Sequence, residues 1–400
     1  MRLYHLAKAK ISCLIGEMQA LQVNAGGIER MAPKGELLAF KVSGMTNAAA
    51  LIIKQEFLSK GGEAALNHDA VLGVNHEQTA LLFATPAQYR AVCASLRSQP
   101  FGLAVLAQEL LAALDALTVV PDPIPYRARY HSGALDFSRT LIMGIANITP
   151  DSFYDGGKYN DSQAAASFIY AMAEAGADII DIGGASSRPG HTPLSAKEEL
   201  ARLLPVLERV APQLKLPISV DTDKAEVAAA ALNAGAAIIN DIGGLNEDMA
   251  QLAAATGAPI VLMHRGDGEH IVERVTDFFR DGMERGQAVG IRRGQFILDP
   301  GFGFGKDVTE NLLLLKHLED FRLLARPLLV GLSNKRFIGA ASHTELNERN
   351  TANVAASAWA LTHGANMIRT HRPKDLREAA LMIKSIEDAQ YGMEGGERSG

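Results

Sequence analysis

Cysteine is nearly missing from this sequence: Cys13 and Cys93 are its only two, both in apolar, helix-like surroundings. Neither has the spacing of a metal site, so both read as buried reduced thiols, in keeping with a reducing cytoplasm. Long apolar runs are missing too. A membrane span needs about 18 uninterrupted apolar residues, and no window reaches that length. The opening stretch, MRLYHLAKAKISCLIGEMQAL, has an early positive charge, but Ser12 breaks its apolar run and Glu17 ends it. It reads as amphipathic structure and not as a signal peptide. Basic residues are in deficit, 39 against 45 acidic ones, for a formal charge of -6. That balance argues against a nucleic-acid-binding face, though not against one small phosphate ligand. HExxH, CxxC and GxSxG are absent, leaving zinc hydrolysis and the α/β-hydrolase triad without support. GFGFGK at 301 to 306 resembles a phosphate loop, but Asp307 stands where Walker A needs Ser or Thr. Its glycines read better as a loop beside a ligand.

What is present is ordinary for a soluble globular chain with a full core, 48% hydrophobic and 21% charged residues. Residues 1 to 118 read as a small α+β domain. A strand is expected at 37 to 44, and a helix at 46 to 62 with Thr46 or Asn47 as its N-cap and Gly61 and Gly62 closing it. Further strands fit 63 to 74 and 79 to 85, and helices fit 86 to 97 and 103 to 117, with Pro86 suited to a first turn. MAPKG at 31 to 35 reads as a solvated turn, since one Lys and one Gly do not make a phosphate cradle. No catalytic constellation lies in this part, which reads as a packing or partner-binding module. Residues 119 to 134 form a linker and the start of a hairpin. Pro121, Pro123 and Pro125 stiffen it, and the chain then turns about His131, Ser132 and Gly133 as if to close the bottom of a barrel. Residues 390 to 400 are expected to be a flexible tail.

From 135 to 389 one grammar repeats. Leu141 opens an apolar run, LIMGIAN, that ends in polar Asn147 and turns at once into TPDSFYDGG. Strands follow the same form at 141 to 148, 177 to 183, 217 to 221, 236 to 242, 259 to 263, 295 to 299, 327 to 332 and 366 to 370. Each pair leaves room for a helix, and Gly176, Gly235, Gly257 and Gly364 close helices just before strands. GADIIDIGG (176 to 184) and GAAIINDIGG (235 to 244) echo each other. Eight such units, with no dinucleotide fingerprint after the first strand, predict a (β/α)8 TIM barrel preceded by the small α+β domain.

The strand ends carry the chemistry, because in this fold they share one face. They are Asn147; Asp181 with the loop GGASSRPG; Asp221 and Thr222; Asn240 and Asp241; Met263 and His264; Asp299; Ser333 and Lys335; and Arg369 and His371. Singly, each carboxylate reads as a helix cap and each histidine as a satisfied structural group. Eight successive strands ending this way do not. Arg188, Arg369 and His371 suit phosphate oxygens, and Asn147 offers a neutral oxygen to a Mg2+ ion that keeps most of its waters. Asp221, Asn240, Asp299 and Lys335 suit a flat heterocycle with an amino-amidine edge and a carbonyl. Buried carboxylates need partners, so Asp221 and Asp299 are expected to face donors from a ligand or from Lys335.

Seven motifs in order, MGIANITPDSFYDGG, DIIDIGGASSRPG, ISVDT, IIND, LDPGFGFGK, SNKRFIG and IRTH, resemble dihydropteroate synthase over about two thirds of the chain. The resemblance implies condensation of 6-hydroxymethyl-7,8-dihydropterin diphosphate with 4-aminobenzoate, releasing diphosphate, by a cytoplasmic homodimer that uses magnesium. It implies that Asp221, Asn240, Asp299 and Lys335 hold the pterin, with Met263 also in the substrate pocket. Ser187 would stand where the family has Thr, Asn147 would serve the magnesium, and Arg188, Arg369 and His371 would grip the diphosphate or shape the loops. The aminobenzoate would lie among Phe153, Pro189 and Phe304 and along Lys335, its carboxylate met by Arg336. Departures from the family pattern are Ala185 for Glu, Ser187 for Thr, Asn334 for Arg and Arg372 for Asp. Two rival readings are a pterin-dependent methyltransferase, which needs no diphosphate grip, and a pterin-binding regulatory protein without turnover.

Overall fold

The computed structural model describes residues 15–16, 18–19, 21–67, 70, 77–148, 158–184 and 194–389. Cys13, the end of the strand expected at 63 to 74 and the expected tail lie outside them. The chain divides into two compact units, the first ending at Val119 and the second spanning Val120–Ala389.

The first unit has three antiparallel strands, β1 (Leu38–Met45), β2 (Glu63–Leu66) and β3 (Gln78–Ala84), with β3 in the middle. Helix Asn47–Ser59 starts where Thr46 accepts the Ala49 N–H at 3.2 Å. It ends three residues short of the expected limit, because Gly61 turns to φ +78°. Helix Pro86–Leu96 has a capping box between Thr85 and Gln88, and helix Leu103–Thr118 follows. Buried Tyr89 ties the layers together: its ring meets Phe40 and Phe57 edge-on, and its hydroxyl donates to the Leu82 carbonyl at 2.8 Å.

In the second unit β4 (Ile124–Arg127) and β5 (Ser132–Leu135) form the hairpin. Eight parallel strands follow: β6 (Leu141–Asn147), β7 (Ile179–Gly183), β8 (Ile218–Thr222), β9 (Ile238–Asp241), β10 (Ile260–Met263), β11 (Phe296–Asp299), β12 (Leu329–Gly331) and β13 (Met367–Thr370). They pair in sequence order, β13 returns to β6, and a parallel bridge between Leu298 and Leu328 joins β11 to β12. The barrel is therefore closed. Helices fill the connections, with Gly257 at φ +68° ending Glu247–Thr256 just before β10.

Strand period sets the layers. One parity, including Ile142, Ile180, Val220, Ile239, Leu262 and Ile368, packs outward against the helices. The other parity faces the barrel axis. Its lower half, with Met143, Ile179, Ile238, Val261, Ile297, Leu329 and Met367, forms an apolar cluster with Ile124, Tyr126, Leu135 and Phe137 of the hairpin segment. The hairpin thus stoppers the bottom of the barrel. Its upper half is polar apart from Met263.

Candidate active site

Because Ile179 faces the axis, Asp181 and Gly183 must do so as well. The same parity brings in Ser219 and Asp221, Asn240, Met263, Asp299 and Arg369. All of these side chains but Arg369's, which is half-buried, are buried. Register sets their depth. Asp181 pairs with Ser219, while Asp221 pairs with Gly183 and Asn240 one step nearer the mouth.

Arg369 ties the two levels together. Its Nε donates to Asp181 Oδ2 at 2.7 Å and its Nη2 to Asp221 Oδ2 at 2.6 Å. Asn240 Nδ2 donates to the same Asp181 oxygen at 3.1 Å. Four buried polar atoms of these inward side chains have no hydrogen-bond partner among the described residues: the acceptors Asp181 Oδ1, Asp221 Oδ1 and Asn240 Oδ1, and the Ser219 hydroxyl. Burial pushes the Asp221 carboxyl up to about 7; Arg369 and Lys335 pull it down, and the Asp181 charge pushes it further up. Burial works against the Arg369 charge too, yet Asp181 and Asp221 outweigh it and hold the guanidinium above its ordinary value. The pocket is rich in acceptors and short of donors.

The loop after β11 builds the adjoining wall. A Cβ at Gly301, which has φ +69°, would stand 1.9 Å from the His264 carbonyl oxygen, and one at Gly303 would stand 2.9 Å from Lys335 Cδ. Glycine at these two positions lets the loop fold tightly and lets the lysine stem pass. Lys306 Nζ donates to the carbonyls of Gly301, His264 and Phe304 at 2.9, 3.3 and 3.4 Å, so this lysine is a clasp for the loop. Lys335 Nζ lies 4.1 Å from the Phe304 ring centroid, and the Arg265 guanidinium 5.7 Å from the same ring. Burial lowers Lys335 to about 8, with Arg369 adding to that and Asp299 and Asp221 opposing it. Burial also raises Asp299, whose Oδ1 accepts the Gly301 N–H at 2.7 Å.

The structure adds protein donors that the sequence did not suggest. Donors for the two carboxylates come partly from the protein, Arg369 for Asp221 and the Gly301 N–H for Asp299. It also places Arg369 among the carboxylates of the heterocycle group, where the sequence had suggested a phosphate role. His371 Nδ1 is 2.9 Å from Ser333 Oγ. Asn147 is half-buried at the end of β6, its Oδ1 3.7 Å from where a Gly183 Cβ would stand. Met263 is buried against Gly301, and Arg336 is exposed at the start of helix Arg336–Ser342. Phe153, Ser187, Arg188 and Pro189 lie outside the described residues. Two other strand-end groups are structural. Asp241 accepts the N–H groups of Gly243 and Leu245 at 2.7 and 2.6 Å. His264 is buried edge-on to Phe278, its pKa pushed to about 4 by burial and by Lys306 and Arg274. Sequence reasoning left Asp181 without a role, although strand parity alone would have placed it inside.

Residues 143–371, more than half of the chain, match the family described as pterin binding enzyme. The chain belongs to that family. The probable bifunctional folylpolyglutamate synthase/dihydropteroate synthase of Halobacterium salinarum is 36% identical over 398 residues, spanning 94% of this chain and 46% of the relative. The chain thus spans about half the length of that protein. The dihydropteroate synthase of Escherichia coli strain K12 is 40% identical over 268 residues, 64% of this chain and 95% of the relative. A solved structure of Xanthomonas albilineans dihydropteroate synthase with 4-aminobenzoic acid has a TM-score of 0.64 at 37% identity, covering 67% of this chain and 100% of that one. Two of the departures from the family pattern fall in described residues. Asn334 stands at φ +60°, a left-handed conformation in which asparagine is enriched. Arg372 pairs with Asp375 at 2.6 Å on its own helix end.

Proposed function

We propose that the barrel, residues 135 to 389, condenses 6-hydroxymethyl-7,8-dihydropterin diphosphate with 4-aminobenzoate to give 7,8-dihydropteroate and diphosphate. The observation that carries this is the pair of buried, unpartnered acceptor oxygens, Asp221 Oδ1 and Asn240 Oδ1, near the Lys335 ammonium. A buried acceptor left unpaired costs about 1–3 kcal/mol, and the amino-amidine edge of a pterin supplies the missing donors. The similarity to dihydropteroate synthases supports the same reading.

In this proposal Asp221, Asn240 and Asp299 orient the ring, with Met263 as part of the pocket. Lys335 places its charge against the ring carbonyl, and its stem with Phe304 takes the aromatic amine, aided by Phe153 and Pro189. Arg336 meets the carboxylate of the amine. Ser187 stands against the substrate and Arg188 and His371 handle the diphosphate end, while Arg369 fixes the two carboxylates it joins. Departure of the diphosphate needs cations placed in advance more than a base, since electrostatic preorganisation lowers the barrier without reorganisation, and a weakly basic arylamine needs little deprotonation. Among the described residues no group of three or more His, Cys, Asp or Glu side chains could cage a metal. A magnesium ion held by Asn147, by water and by substrate phosphate fits that donor set; when bound it would neutralise phosphate charge.

The same proposal includes a homodimer. Trp359, Leu381, Met382 and Ile386 are 48 to 62% exposed on helices Asn350–Thr362 and Pro373–Asp388, more apolar surface than water favours. A cytoplasmic location is in keeping with the free, buried Cys93, and no helix among the described residues is long and apolar enough to cross a membrane. For the N-terminal domain, 1 to 118, we infer packing or partner binding, since the polar groups it buries are few among the described residues, and one of them, the Tyr89 hydroxyl, serves a backbone carbonyl. The test is diphosphate release with pterin diphosphate, magnesium and 4-aminobenzoate, each omitted in turn. Release should require all three; binding of the pterin without release would favour the regulatory reading.

A further inference from the structure

We propose that Asp181 is a positioning residue that fixes the polarity of the ring pocket by holding the Asn240 side chain with its oxygen toward the ligand. An amide carries a donor end and an acceptor end of nearly equal shape, so its neighbours decide which end points where. Asp181 is fully buried and its Oδ2 accepts from the Arg369 guanidinium, so that oxygen meets Asn240 as an acceptor. Asn240 must therefore turn Nδ2 toward it, and does so at 3.1 Å. The turned-away Oδ1 is left buried and unpartnered, on the residue that pairs in register with Asp221, whose own Oδ1 is also unpartnered. Two neighbouring acceptors then face a ligand that must bring two donors. Without Asp181, nothing among the described contacts of Asn240 would stop its amide from turning over. The ring pocket would then offer a donor beside an acceptor.

The inference rests on the pterin reading, and its test separates the two. Binding of 6-hydroxymethylpterin and of 6-hydroxymethyllumazine, which has an oxo group in place of the amino group, is measured by calorimetry. The proteins are the wild-type chain, Asp181→Ala, Asn240→Ala and the double variant. Wild type should prefer the amino ring by at least about 100-fold, as sites built around polar pairs do. Asp181→Ala, which removes the oxygen that holds Asn240, should shrink that preference to within about threefold. In the Asn240→Ala background the Asp181 change should alter the preference no further, since coupled residues are not additive. A variant that weakens both rings equally and keeps the preference, or an additive double variant, would overturn the inference. Binding of neither ring to wild type would sink the pterin reading and this inference with it. Should Asp181→Ala not fold, the Asn240 side-chain amide signal of the wild-type protein decides. A slowly exchanging amide, assigned by its loss in Asn240→Ala, supports the inference; a freely exchanging one refutes it.

Discussion

The two halves of one barrel interior draw on the same ring of strands and differ sharply in chemistry. Below, Ile179, Ile238, Val261, Ile297 and Met367 pack on the hairpin segment into an apolar plug. Two residues further along the same strands stand Asp181, Asn240, Met263, Asp299 and Arg369, all but the methionine polar, with acceptor oxygens of Asp181 and Asn240 left unpaired. Burying apolar area stabilises the fold at roughly 25 cal/mol per Å2, whereas burying unpaired acceptors opposes it. The lower half therefore holds the barrel closed, and the upper half spends part of that stability on recognition. Mutations on the two sides should separate cleanly.

The largest effect is expected above. Lys335→Ala should lower kcat by about 1000-fold, roughly 4 kcal/mol of transition-state stabilisation, with the melting temperature nearly unchanged; near-normal steady-state kinetics would remove Lys335 from the chemistry. Below, Ile297→Ala should cost about 3 kcal/mol of stability by denaturant unfolding and leave KM alone. A changed KM with unchanged stability would collapse the distinction between the halves. Asp221→Asn should weaken ring binding by about 2 kcal/mol, the scale of a hydrogen bond to a charged group.

Asp221 also sharpens the comparison through pH. Its folded pKa, about 7, is above the ordinary carboxylate value, so between about pH 4 and 7 the folded chain holds more protons than the unfolded one. Stability of the ligand-free protein should therefore fall as pH rises through that window, and less so in Asp221→Asn. His264, lowered to about 4, works in the opposite direction in both proteins and cancels from the difference. Equal slopes for the two proteins would show that Asp221 is already ionised without cost. The smallest effect belongs to Arg372, 61% exposed in its pair with Asp375. Arg372→Ala should change stability by no more than about 0.5 kcal/mol, with turnover unaltered.

The barrel was legible because parallel strands buried on both faces read as apolar runs, and because glycine closes several of the helices between them. All eight expected strands overlap the observed ones, differing by one or two residues at their ends. The mouth was legible for a simpler reason: polar residues such as Asn240 and Asp299 end runs that are otherwise apolar. What the strand pattern lacks is the stagger of the strands round the barrel. That stagger lets Arg369 of the last strand reach Asp181 of the second, 188 residues earlier. Lys306 was equally hidden, since a lysine that binds three backbone carbonyls looks in sequence like one that binds phosphate. Asp241 differs from Asn240 only by parity, which turns it outward to serve a turn. In the first unit, the central place of β3 depends on pairing across the helix Asn47–Ser59, which period alone does not specify.

The most direct measurement is a crystal structure of the protein soaked with 6-hydroxymethyl-7,8-dihydropterin diphosphate. The account predicts the amino-amidine edge of the ring within hydrogen-bond distance of Asp221 Oδ1 and Asn240 Oδ1, with Lys335 toward the ring carbonyl. A ring turned with its carbonyl toward Asp221, or bound away from the upper face of the barrel, would contradict it.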